Sequence, residues 1–156
     1  MNKIAIFPGS FDPFTIGHES IVRRALPLFD KIVVAIGFNT NKQGFFPLEE
    51  RVKWIRTVFE EDDKIKVEIF EGLTVDFCIK QHAGYILRGL RTASDFEYER
   101  AIGQMNRAMH PEIETVFLLT QPEHTHVAST IVRDIIRHGG DASMFLPEKI
   151  KITGKY

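Results

Sequence analysis

Short apolar runs alternate with amphipathic segments along the chain, and each pattern predicts one kind of element. Five runs rich in β-branched residues are interpreted as strands: Lys3–Phe7, Lys31–Gly37, Lys64–Phe70, Tyr85–Leu87 and Thr115–Leu119. The second run is apolar at nearly every position, as in a strand that is buried on both faces. The third run alternates between apolar and polar residues, which indicates a strand near an edge of the sheet.

Apolar positions at helical spacing occupy the segments between these strands. The predicted helices are Glu19–Phe29, Leu48–Phe59, Thr74–His82, Ser94–Met109 and Ser129–Arg137. Pro27 is expected to kink the first helix or end it early. Ser94, with Glu97 three residues later, has the pattern of a capping box for the fourth helix. The residues expected on the inner face of that helix are Ala101, Ile102, Met105, Ala108 and Met109.

The alternation of strands and helices predicts an α/β fold, a single domain over residues 1–156 with a parallel five-stranded sheet and helices on both faces. Leu146 and Pro147 are expected to start a terminal turn or short helix. In such sheets, ligands bind beyond the carboxyl ends of the strands. Four polar segments fall there: "PGSFDP", the loop after Gly37, "RGLR" and the loop after Leu119.

Charge and cysteine content narrow the classes of function. The 20 basic and 21 acidic side chains give a net charge of -1, which argues against general binding to nucleic acid or to a membrane surface. Cys78 is the single cysteine and has apolar neighbours, so we expect a buried thiol and no intramolecular disulfide. The sequence shows neither a signal-peptide pattern nor a long apolar run, and a cytoplasmic location is therefore expected.

The segment after the first strand contains groups suited to phosphate. Gly9 would let the backbone approach a ligand, and Ser10 would offer a hydroxyl group. Gly17 and His18 fall at a predicted helix start, where free N–H groups favour an anion. A simple turn with a surface histidine explains this spacing about equally well.

Further polar groups follow the other strands. Arg88 and Arg91 flank Gly89, which would permit an unusual turn, and guanidinium groups suit phosphate oxygens. Lys42 lies in a polar loop and is a solvated lysine unless the other groups converge on it. Glu99 could bind a ribose, but the sequence alone favours a simple role at the helix start, where acidic residues suit the helix dipole.

Ser129 and Thr130 fit either an ordinary N-cap or a phosphate-binding helix start. His124 and His126 lack the nearby cysteines or carboxylates of a zinc site, so no protein-bound metal is predicted. Cationic and hydroxyl groups at strand ends favour phosphoryl or nucleotidyl transfer, in which catalysis is mostly positioning and charge stabilisation.

Several motifs in register carry a family resemblance. "PGSFDPFTIGH" is similar to the G-x-F-D-P-x-x-x-G-H signature of the nucleotidyltransferase superfamily. The motifs "LRGLR", "DFEYE", "MNR" and "FLPE" narrow the resemblance to one family within that superfamily. From Met1 to about Pro147, the chain resembles the bacterial phosphopantetheine adenylyltransferases. The resemblance implies a Rossmann-like core and a homohexamer. It also implies adenylyl transfer from ATP to 4'-phosphopantetheine, with Mg²⁺ on the ATP phosphates, giving dephospho-coenzyme A and pyrophosphate.

The resemblance also implies residue roles. His18 would stabilise charge on the α-phosphate, with Lys42 and Arg91 as further catalytic residues. The acceptor would be bound by Ser10, Lys42, Thr74, Arg88 and Asn106. ATP would be bound by Ser10, Phe11, His18, Gly89, Leu90, Arg91, Glu99, His124, Thr125, His126, Val127, Ala128, Ser129 and Thr130.

Three positions depart from the family pattern. Ile16 replaces a common asparagine, Ala128 a common serine, and His124 a bulky aromatic residue. Two alternative functions stay open at this point. One is a related transferase with another phosphate acceptor, and the other is a nucleotide-binding sensor without catalysis.

Overall fold

The computed structural model describes residues 2–156 and contains one five-stranded, all-parallel sheet in the order β3-β2-β1-β4-β5. The strands are β1 (Ile4–Gly9), β2 (Lys31–Gly37), β3 (Ile65–Phe70), β4 (Tyr85–Leu90) and β5 (Glu114–Leu119). The predicted parallel α/β architecture is therefore confirmed. The alternating strand β3 lies at an edge, as its pattern indicated.

Five helices connect these strands or follow the last of them. They are α1 (Ile16–Ala25), α2 (Leu48–Val58), α3 (Thr74–Lys80), α4 (Ala93–Met109) and α5 (Ser129–Arg137). Single 3₁₀ turns cover Leu26–Leu28, Pro122–His124 and Ser143–Phe145. Across residues 2–156, the structure contains no helix that is both long and apolar enough to cross a membrane.

The core has two parts because alternate side chains of each strand point to opposite faces of the sheet. Ala5 and Phe7 of β1 pack with α1, α2 and α5 on one face. Ile6 packs with the apolar side of α3 on the other face, where Cys78 is fully buried. Helices therefore cover both faces of the sheet. Because the Cys78 thiol is buried, its pKa is raised to about 12.

The start of α1 differs from the prediction: the helix begins at Ile16 rather than Glu19 because Thr15 caps it. The Thr15 hydroxyl accepts from the His18 N–H at 3.4 Å, and the Thr15 N–H donates to His18 Nδ1 at 2.9 Å. His18 is thus the third helical residue and part of a capping box. Helix α1 ends at Ala25, just before Pro27, as expected.

Helix α4 departs most from its prediction. Its cap is Thr92, whose hydroxyl accepts from the Asp95 N–H at 3.2 Å, so the predicted Ser94 cap is wrong. Glu97 pairs with Arg100 instead of closing a capping box.

The predicted inner face of α4 is also wrong, because none of its residues is buried and Met105 is 66% exposed. The helix rests on the sheet through Gly103, where an added Cβ would lie only 3.3 Å from the Thr115 hydroxyl. This close approach turns the Met105 side of the helix outward.

Strand β4 is longer than predicted and continues to Leu90, so Arg88 and Gly89 lie within the strand. The expected turn at Gly89 is therefore wrong. A Cβ at Gly89 would lie 3.1 Å from Ile21 Cγ1, so the glycine lets α1 pack closely on the strand. The side chain of Arg88 is held at the carboxyl edge of the sheet.

Candidate active site

A cavity of about 520 Å³, here called the main cavity, opens at the carboxyl ends of β1 and β4. The starts of α1, α4 and α5 complete its wall. The structure brings twelve of the predicted site residues to this cavity: Ser10, Phe11, His18, Arg88, Gly89, Arg91, Glu99, His124, Val127, Ala128, Ser129 and Thr130. Thr15, Ser94, Asp95, Tyr98 and Thr120 also line it and were not predicted.

His18 lies in the main cavity with a defined tautomer. Its Nδ1 accepts a hydrogen bond from the Thr15 backbone, so the neutral ring carries its proton on Nε2. The ring packs against Phe11 and Phe14 at centroid distances of 5.1 and 5.3 Å. Burial lowers the pKa of His18 from its ordinary 6.5 to about 3, and the positive charges of nearby arginines act in the same direction. His18 is therefore a neutral Nε2–H donor near pH 7.

The β1–α1 segment, defined as residues 8–15, forms one wall of the site and is held from outside. Four of its carbonyl oxygens accept side-chain hydrogen bonds from β4, α2 and α5. The donor and acceptor pairs are Arg88 to Pro8 at 2.6 Å, Arg51 to Ser10 at 2.8 Å, Arg133 to Asp12 at 2.7 Å, and Ser129 to Pro13 at 2.9 Å. Phe11 has φ 47°, in the left-handed region that non-glycine residues rarely adopt.

Gly9 is required by packing within this segment. A Cβ at Gly9 would lie 2.8 Å from the Phe11 ring, so a side chain there would displace that ring from the cavity wall. The sequence-based interpretation assigned Gly9 to the approach of a ligand. In the structure, glycine permits the close packing of Phe11 on the strand end.

Asp12 and Arg51 connect the β1–α1 segment to the β2–α2 loop. The Asp12 carboxylate accepts from the backbone N–H groups of Phe45 and Phe46 at 2.7 and 2.9 Å. Arg51 Nε donates to the Phe46 carbonyl at 3.1 Å. Sequence reasoning missed both residues, although Arg51 is a charged residue one helical turn before the buried Ile55, on the inner side of α2.

Arg88 and Glu99 form the wall between the main cavity and a second cavity of about 250 Å³. Glu99 accepts from Arg88 Nε at 2.9 Å and from Nη2 at 2.6 Å, a two-point pairing that fixes the guanidinium plane. The second cavity also contains Thr74 and Asn106, together with apolar side chains. Two compartments therefore meet at one arginine.

The start of α5 faces the main cavity without a side-chain cap. Its N-cap is Ala128, and no side-chain cap hydrogen bond is formed there. Ser129 donates to the Pro13 carbonyl in the β1–α1 segment, so of its two open interpretations the N-cap is excluded. Arg91 reaches across from β4 and donates to the Val127 carbonyl at 3.4 Å, while its Nε lies 3.4 Å from Asp95 Oδ2. A helix start of this kind suits an anion.

Four predicted site residues line neither cavity: Lys42, Leu90, Thr125 and His126. Lys42 is exposed in the lysine tip, defined as residues 39–42 of the β2–α2 loop. The Lys42 N–H donates to the Asn39 carbonyl at 3.0 Å, and this hydrogen bond closes the tip. Among residues 2–156, no group of three or more histidine, cysteine or acidic residues is placed to hold a metal ion.

Comparison with solved structures agrees with this geometry. The chain matches a bifunctional NMN adenylyltransferase/ADP ribose pyrophosphatase from Francisella tularensis with a TM-score of 0.72 and 20% identity, covering 96% of this chain and 46% of that longer one. It matches a putative nicotinate-nucleotide adenylyltransferase from Vibrio parahaemolyticus with a TM-score of 0.67 and 19% identity, covering 94% of each chain. These likenesses establish the fold.

The chain is also similar in sequence to known proteins, over most of its length. The cytidylyltransferase-like family matches residues 6–135, so the chain is a nucleotidyltransferase. The phosphopantetheine adenylyltransferase of Cytophaga hutchinsonii is 49% identical over 150 residues, covering 96% of this chain and all of that protein. That of Flavobacterium johnsoniae is 51% identical over 148 residues, covering 95% of this chain and 97% of its own. This chain belongs to the phosphopantetheine adenylyltransferase family.

Proposed function

We propose that the protein transfers the adenylyl group of ATP to 4'-phosphopantetheine, releasing pyrophosphate and forming dephospho-coenzyme A. The observation that carries this proposal is the junction of two compartments at Arg88. The larger, more polar compartment suits a nucleotide triphosphate, and the smaller, more apolar one suits a pantetheine arm. Membership of the family supports the same reaction.

The chemical step is an in-line displacement. A phosphate oxygen of the acceptor forms a bond to the α-phosphorus, and the bond from that phosphorus to the bridging oxygen of the leaving pyrophosphate breaks. The ionised acceptor needs no general base, and no covalent enzyme intermediate forms. His18 donates from Nε2 to the α-phosphate, where negative charge grows in the transition state. Arg91 adds positive charge on the same side of the cavity.

Each substrate has a place in this arrangement. The ATP phosphates lie at the uncapped start of α5, near Ser10 and Arg91. The adenosine part lies along the remaining predicted ATP-binding residues. The acceptor phosphate lies between Arg88 and Ser10, with Lys42 closing over it, and the pantetheine arm enters the second cavity beside Thr74 and Asn106.

Magnesium fits the site as a metal bound by the nucleotide. Asp95 and Glu99 are the carboxylates lining the described main cavity, and both are paired with arginines. The ATP phosphates would therefore supply the ligands, and the ion would neutralise charge on the leaving pyrophosphate.

A homohexamer located in the cytoplasm is part of this proposal. Its support in the structure is the outward apolar side of α4, where Met105 is 66% exposed and Met109 is 46% exposed. Light scattering after size exclusion tests the assembly, which is expected at six times the chain mass of 17.9 kDa. The mass of a single chain would contradict it.

A pyrophosphate-release assay tests the reaction. The protein with ATP and phosphopantetheine is expected to release pyrophosphate and form dephospho-coenzyme A, identified by mass spectrometry. Nicotinamide mononucleotide replaces phosphopantetheine in a parallel reaction and is expected to give no product. Turnover with the mononucleotide alone would favour the alternative acceptor. ATP binding without turnover on either acceptor would favour a sensor.

A further inference from the structure

Arg51 and Asp12 are the two charged residues that are buried within the described chain, with 5% and 7% exposure. Burying charges costs free energy, and a buried ion pair is weak grounds for inferring stability. Arg51 Nε and Asp12 Oδ1 lie 4.0 Å apart, so the two groups form a long ion pair with no hydrogen bond between them. Their hydrogen bonds go to backbone groups instead, which points to a role in fixing the backbone.

These hydrogen bonds run in both directions between two site loops. Asp12, in the β1–α1 segment, accepts from the N–H groups of Phe45 and Phe46 in the β2–α2 loop. Arg51, at the start of α2, donates to the Ser10 carbonyl at 2.8 Å and to the Phe46 carbonyl at 3.1 Å. The β1–α1 segment and the Phe45–Phe46 part of the β2–α2 loop are therefore held in one relative position.

Packing leaves little freedom around this connection. A Cβ at Gly44 would lie 2.9 Å from Arg51 Nη2 and 3.1 Å from Asp12 Oδ2. The β2–α2 loop thus passes directly over both charged groups, and only glycine fits there without displacing them. Burial lowers the pKa of Arg51, yet its guanidinium remains charged because its ordinary pKa is so high.

The bond to Ser10 has a consequence in the main cavity. In a trans peptide, the carbonyl and the next N–H point in opposite directions. Drawing the Ser10 carbonyl toward Arg51 therefore directs the Phe11 N–H away from Arg51. Ser10 and Phe11 line the cavity, whereas Arg51 lies outside its lining. The arginine thereby fixes a peptide of the phosphate wall without touching a ligand.

We propose that Arg51, held beside Asp12, is a positioning residue for adenylyl transfer. It fixes the Ser10–Phe11 peptide against ATP and holds the part of the β2–α2 loop at Phe46, which follows the lysine tip. This inference rests on the proposed reaction. It predicts that loss of Arg51 reduces turnover more than ATP affinity, because an error of about 1 Å in alignment costs roughly a hundredfold in rate.

The test compares three variants by steady-state kinetics and ATP titration calorimetry. Arg51→Met keeps the length of the side chain and removes the donors. Its kcat is expected to fall by about a hundredfold, while its Kd for ATP stays within about threefold of the parent value. Arg51→Lys keeps a cation near the same carbonyls, and its kcat is expected to be at least about tenfold higher than that of Arg51→Met.

Arg56→Met is the matched control. Arg56 lies on the same helix and donates to the Val67 carbonyl of β3, outside the linings of both cavities. Its kcat is expected to stay within about twofold of the parent, as for most surface substitutions. An Arg51→Met variant with parent kcat would overturn the proposal, as would equal losses in the Arg51→Met and Arg51→Lys variants.

A crystal structure of the Arg51→Met variant tests the inference independently of activity. The Ser10 carbonyl oxygen is expected to move by more than about 1 Å, beyond the usual scatter between structures. An unmoved Ser10–Phe11 peptide would overturn the positioning role even if the parent protein failed to react with phosphopantetheine. Failure of the parent in that assay, with the peptide displaced in the variant, would overturn only the proposed reaction.

Discussion

Two segments at the carboxyl edge of the sheet position predicted catalytic residues, and they are held very differently. The β1–α1 segment leads into His18, and side chains from three other elements bind four of its carbonyl oxygens. The lysine tip is closed mainly by its own residues, with Asn41 N–H bonding Asn39 Oδ1 at 2.9 Å. One neighbouring contact joins Thr40 to Glu71 at 3.3 Å.

This contrast separates two tasks of a transferase. Groups that stabilise a transition state work best when they are fixed before the reaction, since no reorganisation is then needed. Groups that close over a substrate need freedom to move when it binds and leaves. We therefore interpret the His18 side of the site as the fixed part and Lys42 as the adaptable part.

The largest effect is expected for His18→Ala. Removing a donor aimed at the growing charge should lower kcat by about a thousandfold, and the Kd for ATP should stay within about threefold. Initial-rate assays of product formation measure kcat, and titration calorimetry measures the Kd for ATP. His138→Ala is the control, because that histidine is exposed at the end of α5. Unchanged turnover in His18→Ala would show that the fixed side of the site does not supply the catalytic group.

A smaller effect is expected for Arg88→Ala, which should raise the KM for phosphopantetheine by about thirtyfold through loss of a charge-assisted contact. Glu99→Gln should raise it less, because the arginine remains but its plane is no longer fixed at two points. Initial rates at saturating ATP measure both. Arg100→Ala serves as the control on the exposed side of α4. A change confined to the KM for ATP would mean that the two substrates are assigned the wrong way round.

Lys42→Ala sharpens the comparison between the two segments. Because Lys42 is exposed and outside both cavities, its loss should leave the melting temperature and ATP affinity unchanged. The KM for phosphopantetheine should rise by about tenfold, the loss of one charged hydrogen bond. Lys53→Ala, on the exposed side of α2, is the control. A fall in melting temperature with no change in KM would contradict the adaptable role.

The smallest effect concerns pH. The pKa of His18 is lowered to about 3, so its neutral donor form persists as the pH falls well below 6.5. The pH profile of kcat/KM for ATP should therefore lack an ionisation of His18 between about pH 5 and pH 8. A loss of rate near pH 6.5 that disappears in His18→Asn would contradict the neutral-donor assignment.

The same shift affects stability with a definite sign. The unfolded chain binds a proton at His18 below pH 6.5, whereas the folded chain does not until about pH 3. The free energy of unfolding should therefore decrease as the pH falls through this window. Urea unfolding at two pH values measures the slope, which should be shallower in His18→Ala. An identical slope in both proteins would contradict the burial of a neutral ring.

The fold could be predicted largely from the chain because buried parallel strands produce continuous apolar runs. The inner face of α4 could not be predicted. Its apolar residues do share one side of the helix, but that side does not face the sheet. Gly103 decides that orientation through a tertiary contact with Thr115. Helical periodicity alone shows which residues share a side of a helix, and it does not show what covers that side.

In the site, too, features set by a local motif could be predicted and features set by tertiary contacts could not. The location of His18, Arg88 and Arg91 at the main cavity could be predicted because they lie near or beyond the carboxyl ends of strands, in recognisable motifs. Arg51 could not, since its role depends on a carbonyl 41 positions away in sequence. The pairing of Arg88 with Glu99 was also missed, because each residue was assigned to a different substrate.

The most direct test of the contrast between the two segments is a crystal structure with phosphopantetheine and a non-reactive ATP analogue. We expect the Cα atoms of residues 8–15 to shift by less than about 1 Å and His18 Nε2 to lie within hydrogen-bond distance of the α-phosphate. We also expect the lysine tip to move and to bring Lys42 Nζ into contact with the acceptor phosphate. A rearranged β1–α1 segment, or a lysine tip that stays in solvent, would contradict this contrast.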